Sequence, residues 1–480
     1  MFAMLLSLRK RRLGAVVRGS FDPRPWTLDS RPERNGAVMN RKKTCIVFVL
    51  MLIVPLLAKT CPALPKAEAI DLPNKLKLLV FEDHTIPAVT LQLLVSAGSW
   101  RDPQDKKGLA NLTVKSVLLG TRRFSFDEIN DKLDFIGGSL DADCTRDFAT
   151  VGMQVLKKDL NTGIDLFEEV ILHPSFPAAD VAGQKDDIIG SIREKEDDPL
   201  EVANRAFDNA LFKNSPYAGP VDGTEQSVTG IGPEDLAKFY SSFYRPNDSV
   251  LVIGGDITPE EVKTLIVPKL LTWEAADIPE MPFRTEFAEG PVNVDIDKPV
   301  SQAAIIIGCP SLERTSKDYY AFNVMNQILG SGDLSSRLMV EIRIKNGLAY
   351  AVESILAAKK YTGSFSLVIQ TKDASVKEAI ALARKELVRL QREPVSEAEL
   401  QGAKKFLIGN FPLKYSSSQQ DFAKFLAQID FYGLGSDYPE RYASLINDVT
   451  ADDILRVAGK YLQPENVLVI VADLKKAQIN

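Results

Sequence analysis

Histidine is almost absent from this chain of 480 residues, which holds only His84 and His173. Two imidazoles one turn apart on a helix are a standard grip for Zn²⁺, and no such pair exists here. Each of the two stands close to a turn proline and reads as structural. Cysteine is scarce as well, with four in all, so a disulfide framework is excluded. Cys144 and Cys309 fall in different halves of the chain and are expected to be buried free thiols. Long apolar runs are missing too: Ile46 to Ala58 spans about 13 residues, too few to cross a bilayer as a permanent anchor. A positive charge excess is also lacking, since 58 basic residues face 64 acidic ones.

What the N-terminus does contain is an export pattern. From Met39 the chain reads Arg41-Lys42-Lys43, then the apolar run to Ala58, then the small-residue pattern Ala67-Glu68-Ala69. Basic, hydrophobic and cleavage regions in that order predict a secretory signal peptide within residues 1–69. Cys61 precedes the cut, but Ala58-Lys59-Thr60 lacks the small residues of a lipoprotein signal. Residues 1–38, with the basic cluster Arg9-Lys10-Arg11-Arg12, read as sequence upstream of the true start. Without residues 1–69 the chain keeps 45 basic and 60 acidic residues, a net charge of −15. That balance argues against nucleic acid and anionic membranes as partners.

The rest of the chain repeats itself. Pro233-Glu234-Asp235-Leu236 followed by Phe243 to Asp256 returns as Ala451-Asp452-Asp453-Ile454 followed by Tyr461 to Asp473. Each copy is an amphipathic helix, a proline turn and an apolar strand. Ala88 to Val95 matches Ala303 to Gly308, and a helix ending at Leu119-Gly120 matches one ending at Leu329-Gly330. Phe126 to Ile136 and Ala178 to Arg193 read as helices, and Phe148 to Leu156 alternates as a strand. Trp273 to Pro291 has three prolines and no period, which marks a linker. Two duplicated domains follow, 70–272 and 292–480 around the linker 273–291. The fold class is α+β, each domain a mainly antiparallel sheet with helices packed on one face.

Several segments in this order resemble the pitrilysin/insulinase peptidase family, in particular short members related to the mitochondrial processing peptidase. They are Phe81 to Pro87, Ser96-Ala97-Gly98-Ser99, Lys107-Gly108-Leu109-Ala110, Leu119-Gly120-Thr121, Tyr217 to Gly223, Phe239 to Asn247, and Ser335-Ser336-Arg337-Leu338 through Gly347-Leu348-Ala349-Tyr350. The resemblance implies a clam of four such domains, built from one long chain or two short ones. One half carries His-x-x-Glu-His on a helix, which holds zinc and a water-activating Glu. This chain has Asn111, Val114 and Lys115 at those three places and departs from the motif completely. A downstream glutamate completes the family's zinc site; Glu201 is the nearest candidate and otherwise reads as a helix-start acid.

The other half of the family's clam supplies an Arg and a Tyr seven residues apart, matched here by Arg343 and Tyr350. A guanidinium and a phenol can hold the oxygen on which charge grows during peptide hydrolysis, or hold the substrate backbone. The plainer reading makes Arg343 a solvated residue on a helix with Leu334, Leu338 and Ile342 on its apolar side, and Tyr350 a core strand residue. By the same resemblance Gly137, Gly138, Ser139 and Leu140 begin an edge strand that takes up substrate, where adjacent glycines admit a second backbone. Gly330-Ser331-Gly332 reads as a turn and Gly254-Gly255 as a strand end. The implied protein is the zinc-less subunit of an exported bacterial heterodimer, periplasmic or extracellular, with no stable membrane anchor. It binds no cofactor itself, zinc being expected in a homologous partner subunit, and it takes peptide or unfolded polypeptide as substrate. An inactive peptide-binding or scaffold protein is the alternative.

Overall fold

The computed structural model describes residues 65–479, apart from 289, 464 and 465. The basic and apolar parts of the expected signal peptide lie outside the described residues. Its expected cleavage pattern, Ala67-Glu68-Ala69, falls inside the first strand.

The first sheet contains β1 (Ala67–Asp71), β2 (Lys77–Glu82), β3 (Ala88–Val95), β4 (Ser139–Cys144), β5 (Ala149–Leu156) and β6 (Ser249–Gly255), in the order β1-β2-β6-β3-β5-β4. The second contains β7 (Val292–Asp297), β8 (Ala303–Ser311), β9 (Ala349–Ala358), β10 (Gly363–Thr371) and β11 (Val467–Ala472), in the order β7-β11-β8-β10-β9. In each sheet one parallel pair, β2 with β6 and β7 with β11, is followed by antiparallel neighbours only. The duplication read from the sequence is therefore a duplication of topology: β7, β11, β8, β10 and β9 repeat β2, β6, β3, β5 and β4. The last strand of each set, β4 and β9, is a sheet edge.

The central strands explain the continuous apolar runs. Every residue of β3 is buried, as are six of the seven in β6, which requires cover on both faces of the sheet. The halves provide this reciprocally. The first sheet has its own helices on one face, where Leu91, Leu112, Ile129, Phe167 and Ile188 share a core. On β3 and β6 it also receives the helix Gln419–Phe431 from the second half. The second sheet in turn receives the helix Pro199–Phe212 from the first half, and Phe207, Leu211 and Phe212 pack with Ile306, Val469 and Val471. Gly308 makes this possible, because a Cβ there would lie 2.5 Å from the Phe207 ring. Each domain thus packs helices of its own on one face of its sheet, as expected. The second face of each sheet is closed by a helix lent across the linker.

Polar contacts pin the same interlock. The buried Asp147 accepts hydrogen bonds from Tyr432 Oη at 2.8 Å and from the Lys360 amide at 2.9 Å, both in the second half, and from Tyr217 Oη in the first. Cys144 and Cys309 are buried free thiols. Among the described residues no helix is long and apolar enough to cross a membrane.

Candidate functional site

The helix Leu109–Ser116 starts at Gly108, whose φ of +92° is one that a side chain would strain. The buried Asp102 closes this helix start, accepting 2.8 Å hydrogen bonds from the amides of Gly108 and Ala110. Burial raises its carboxyl to about 7 against the pull of those two amides. Beyond this cap the helix belongs to the core. Val114 is fully buried among Leu112, Val151 and other apolar side chains of the first domain. Asn111 is buried and gives its amide to Asp222 Oδ1 at 3.3 Å, while the other Asp222 oxygen is taken by Lys195 Nζ. Lys115 is half-buried on the last turn.

A zinc ion does not fit these residues. A packed aliphatic, an amide already engaged and a cation offer no ligand set, and the neighbouring carboxylate Asp222 is neutralised by Lys195. Among the described residues no three His, Cys, Asp or Glu side chains converge as metal ligands. Glu201 is exposed in the first turn of the helix Pro199–Phe212, behind the cap Asp198. That position matches a helix-start acid facing the dipole.

Arg343 and Tyr350 are brought together. The Arg343 guanidinium carbon lies 5.7 Å from the Tyr350 ring centroid, within cation–π range. Two irregularities hold them outward. Met339–Lys345 is wound as a wide π-helical turn that buries Ile342 and leaves Arg343 exposed. Gly347 ends it at φ +64°, with its amide bonded to the Arg343 carbonyl at 3.0 Å. On β9 the register shifts so that Ala349 pairs with Thr371 and Ala351 with Gln370, leaving Tyr350 as the extra residue of a bulge. Bulges re-aim side chains and recur beside active sites. Tyr350 is 69% exposed, which rules out the core-strand reading. Leu338 and Ile342 are buried as the helix reading expects, but Leu334 is 61% exposed and lies in a 3₁₀ turn.

The segment is anchored from below. Arg337, itself buried, grips Glu399 with both forks at 2.7 and 3.1 Å. That guanidinium, with the Ser396 donors, holds the Glu399 carboxyl down at about 2. Sequence reasoning used Arg337 only as a family marker and missed its partner, 62 residues away. The bulge at Tyr350 left no signal that periodicity could register.

Gly137 closes the helix Phe126–Ile136 at φ +60°, Gly138 follows, and Ser139 and Leu140 open the edge strand β4. Among the described residues β4 pairs only with β5, which leaves its other edge without a strand. The helix Gln419–Phe431 runs beside it, with Gln420 reaching Ser139 and Lys424 reaching Asp141, both at 3.4 Å. The structure thus places Gly137 to Leu140 at the edge of one sheet and the Arg343–Tyr350 pair at the corresponding edge of the other.

Comparison with known proteins bears on the family and the fold. The family described as insulinase (peptidase family M16) matches residues 77–225, and the peptidase M16 inactive domain matches residues 230–407. The chain is similar to an uncharacterized zinc protease of Streptomyces coelicolor, 25% identical over 414 residues that cover 85% of this chain and 90% of the relative. It is also similar to a protein of Helicobacter pylori named a non-peptidase homolog, 26% identical over 341 residues, 71% of this chain and 78% of that one. A crystal structure of a peptidase M16 inactive domain from Pseudomonas fluorescens shares the fold, with a TM-score of 0.79 at 23% identity, covering 85% of this chain and 97% of that one.

Proposed function

Because the chain belongs to the peptidase M16 (insulinase) family as a two-domain member, we propose that it is the non-zinc-binding subunit of an exported heterodimeric metallopeptidase. One observation carries the reading: the Arg343–Tyr350 pair is held out to solvent by a bulge and a wide helical turn, while Val114 is committed to the core and Asn111 to the Asp222–Lys195 pair. An exposed Arg and Tyr contribute little to folding, so their joint presentation calls for a ligand. The partner is a homologous chain with an intact His-x-x-Glu-His, which supplies the zinc chemistry. This chain binds the extended peptide and presents two donors to its carbonyl oxygen, neither of which has to change protonation state.

The chain alone should contain no stoichiometric zinc and cleave no peptide. Mixed with its partner it should raise peptidase activity, and Arg343→Ala or Tyr350→Phe should lower turnover about a hundredfold, the scale of one lost oxyanion donor, with the complex still assembled. Wild-type turnover in both variants would remove the role. A second reading, an inactive peptide-binding or scaffold protein, is supported by the relative named a non-peptidase homolog and by the strand-free edge of β4. It predicts peptide binding with no gain in activity beside any zinc-bearing homologue.

A further inference from the structure

A cavity of about 310 Å³ opens in the second half, between the helix Gln419–Phe431 and the loop that carries Arg314. Its walls are aromatic, with Tyr319, Phe425, Tyr432 and the stacked pair Phe411 and Tyr442. Its charge is reversed relative to the chain as a whole, whose net charge is −6. Arg314, Lys414 and Lys424 line it against a single acid, Asp421, which already accepts from the Ser418 hydroxyl at 2.9 Å.

Arg314 is the unusual member. It is partly buried, its guanidinium carbon lies 3.9 Å from the Tyr319 ring centroid, and it donates to Tyr438 Oη at 2.8 Å. Among the described residues it has no carboxylate partner, and neither has Lys414. A guanidinium drawn partly out of water normally gains a counter-charge, and here the place for one is open. The cavity also has a continuation. A neighbouring cavity of about 320 Å³ shares Tyr432 and adds Phe148 and Lys359. A third, of about 400 Å³ beside Asp222, shares Arg146 and Val221 with that one. The three form a row linked by these shared lining residues, from the aromatic cavity to the one beside Asp222. Lys359 in the middle of the row is likewise without an acidic partner among the described residues, and its ammonium lies 5.5 and 5.6 Å from the rings of Phe212 and Tyr217.

The geometry points to a binding site in the aromatic cavity for the C-terminal residue of a peptide, its aromatic side chain against Tyr319 and Phe425 and its free carboxylate against Arg314 and Lys414. Within a polypeptide, a ring and a carboxylate occur on one residue only at an aromatic C-terminus, and the row of cavities accommodates the residues that precede it. The volume suits such a group, since ligand pockets begin near 300 Å³. The site stands on Arg314 and not on Arg343 or Tyr350. It needs no second subunit, so its failure and the failure of the proposed function are separate results.

The test is calorimetric titration of the full chain with the tetrapeptide Ala-Ala-Ala-Phe as free acid, the same peptide as C-terminal amide, a peptide ending in Ala, and N-acetylphenylalanine. The free acid should bind, and amidation or loss of the ring should each weaken binding about tenfold, the scale of a hydrogen bond to a charged group or of a buried aromatic. Lys414→Glu, at an exposed position, should weaken it about threefold or more, and Lys238→Glu, on the helix Pro233–Phe243 that does not line the cavity, should not. Equal affinity for acid and amide, or no binding by any of the four, overturns the site. N-acetylphenylalanine binding as tightly as the tetrapeptide overturns the peptide assignment in favour of a free aromatic acid.

Discussion

The turns at Gly137 and Gly347 are the same turn in two copies. Each ends a helical segment with a left-handed glycine, at φ +60° and +64°, and each feeds the edge strand of its sheet. Four residues before the glycine stands Leu133 in one copy and Arg343 in the other; three residues after it stands Leu140 or Tyr350. Leu133 is buried and Leu140 packs against the first core, whereas Arg343 and Tyr350 face solvent. The difference is made locally, by a regular α-helix in the first copy and a π-helical turn with a strand bulge in the second. The preceding helices show the opposite drift. Asn111, Val114 and Lys115 of the first half correspond to Ala321, Val324 and Met325 of the second, and Val114 and Val324 are both fully buried. The helix Leu109–Ser116 is thus like its core counterpart in the second half, while the second half presents an exposed pair that has no equivalent in the first.

The largest effect expected from this comparison is on the first helix. Val114→Glu restores one residue of the zinc motif but places a carboxylate in a sealed apolar site, and should cost about 3 kcal/mol or more of stability. Urea denaturation measures it directly. A loss under about 1 kcal/mol would mean that the helix still keeps room for a catalytic acid, and the two halves would be less alike than their burial indicates.

A smaller effect should come from the anchor beneath the exposed pair. Glu399→Gln leaves the buried Arg337 without its charge partner and should destabilise by about 2 kcal/mol at neutral pH. The sign of its pH dependence follows from the lowered carboxyl. With Glu399 near 2 when folded and near the ordinary carboxylate value when unfolded, its contribution is fully present above about 4.5 and is lost as the pH falls toward 2. Thermal melts of wild type and variant should therefore converge over that window. Parallel curves down to pH 2 would show that the Arg337–Glu399 pair does not hold the segment.

Much of this molecule was legible in its sequence because duplication and apolar periodicity are properties of the chain itself. The helix Phe126–Ile136 and the strand Ala88–Val95 fall where periodicity puts them. The reciprocal exchange of helices was not legible, since an amphipathic run such as Pro199–Phe212 states that one face is buried and not which sheet buries it. At the site, the residue types Arg343 and Tyr350 could be named, and Arg343 read as solvated. The exposure of Tyr350 could not be read, because a single-residue bulge shifts the strand register by one position, and no composition or period records that. Asp147, on which Tyr217, Tyr432 and Lys360 converge, sits in a short loop between two strands and carries no mark of its partners.

The smallest stability effect is the most discriminating. Arg343→Ala removes an exposed guanidinium with its cation–π contact at 5.7 Å and a 4.0 Å contact to Met339 Sδ, and Tyr350→Phe removes an exposed hydroxyl, so each should change unfolding free energy by less than about 0.5 kcal/mol. The matched changes Leu133→Ala and Leu140→Ala in the first copy should cost several times more, Leu133 the more of the two because it is the more deeply buried. Equal costs in both copies would make Arg343 and Tyr350 structural residues that happen to lie at the surface. A near-zero cost in the second copy, beside a large loss of turnover in the assembled complex, would assign their retention to the ligand they meet and not to the fold they stand on.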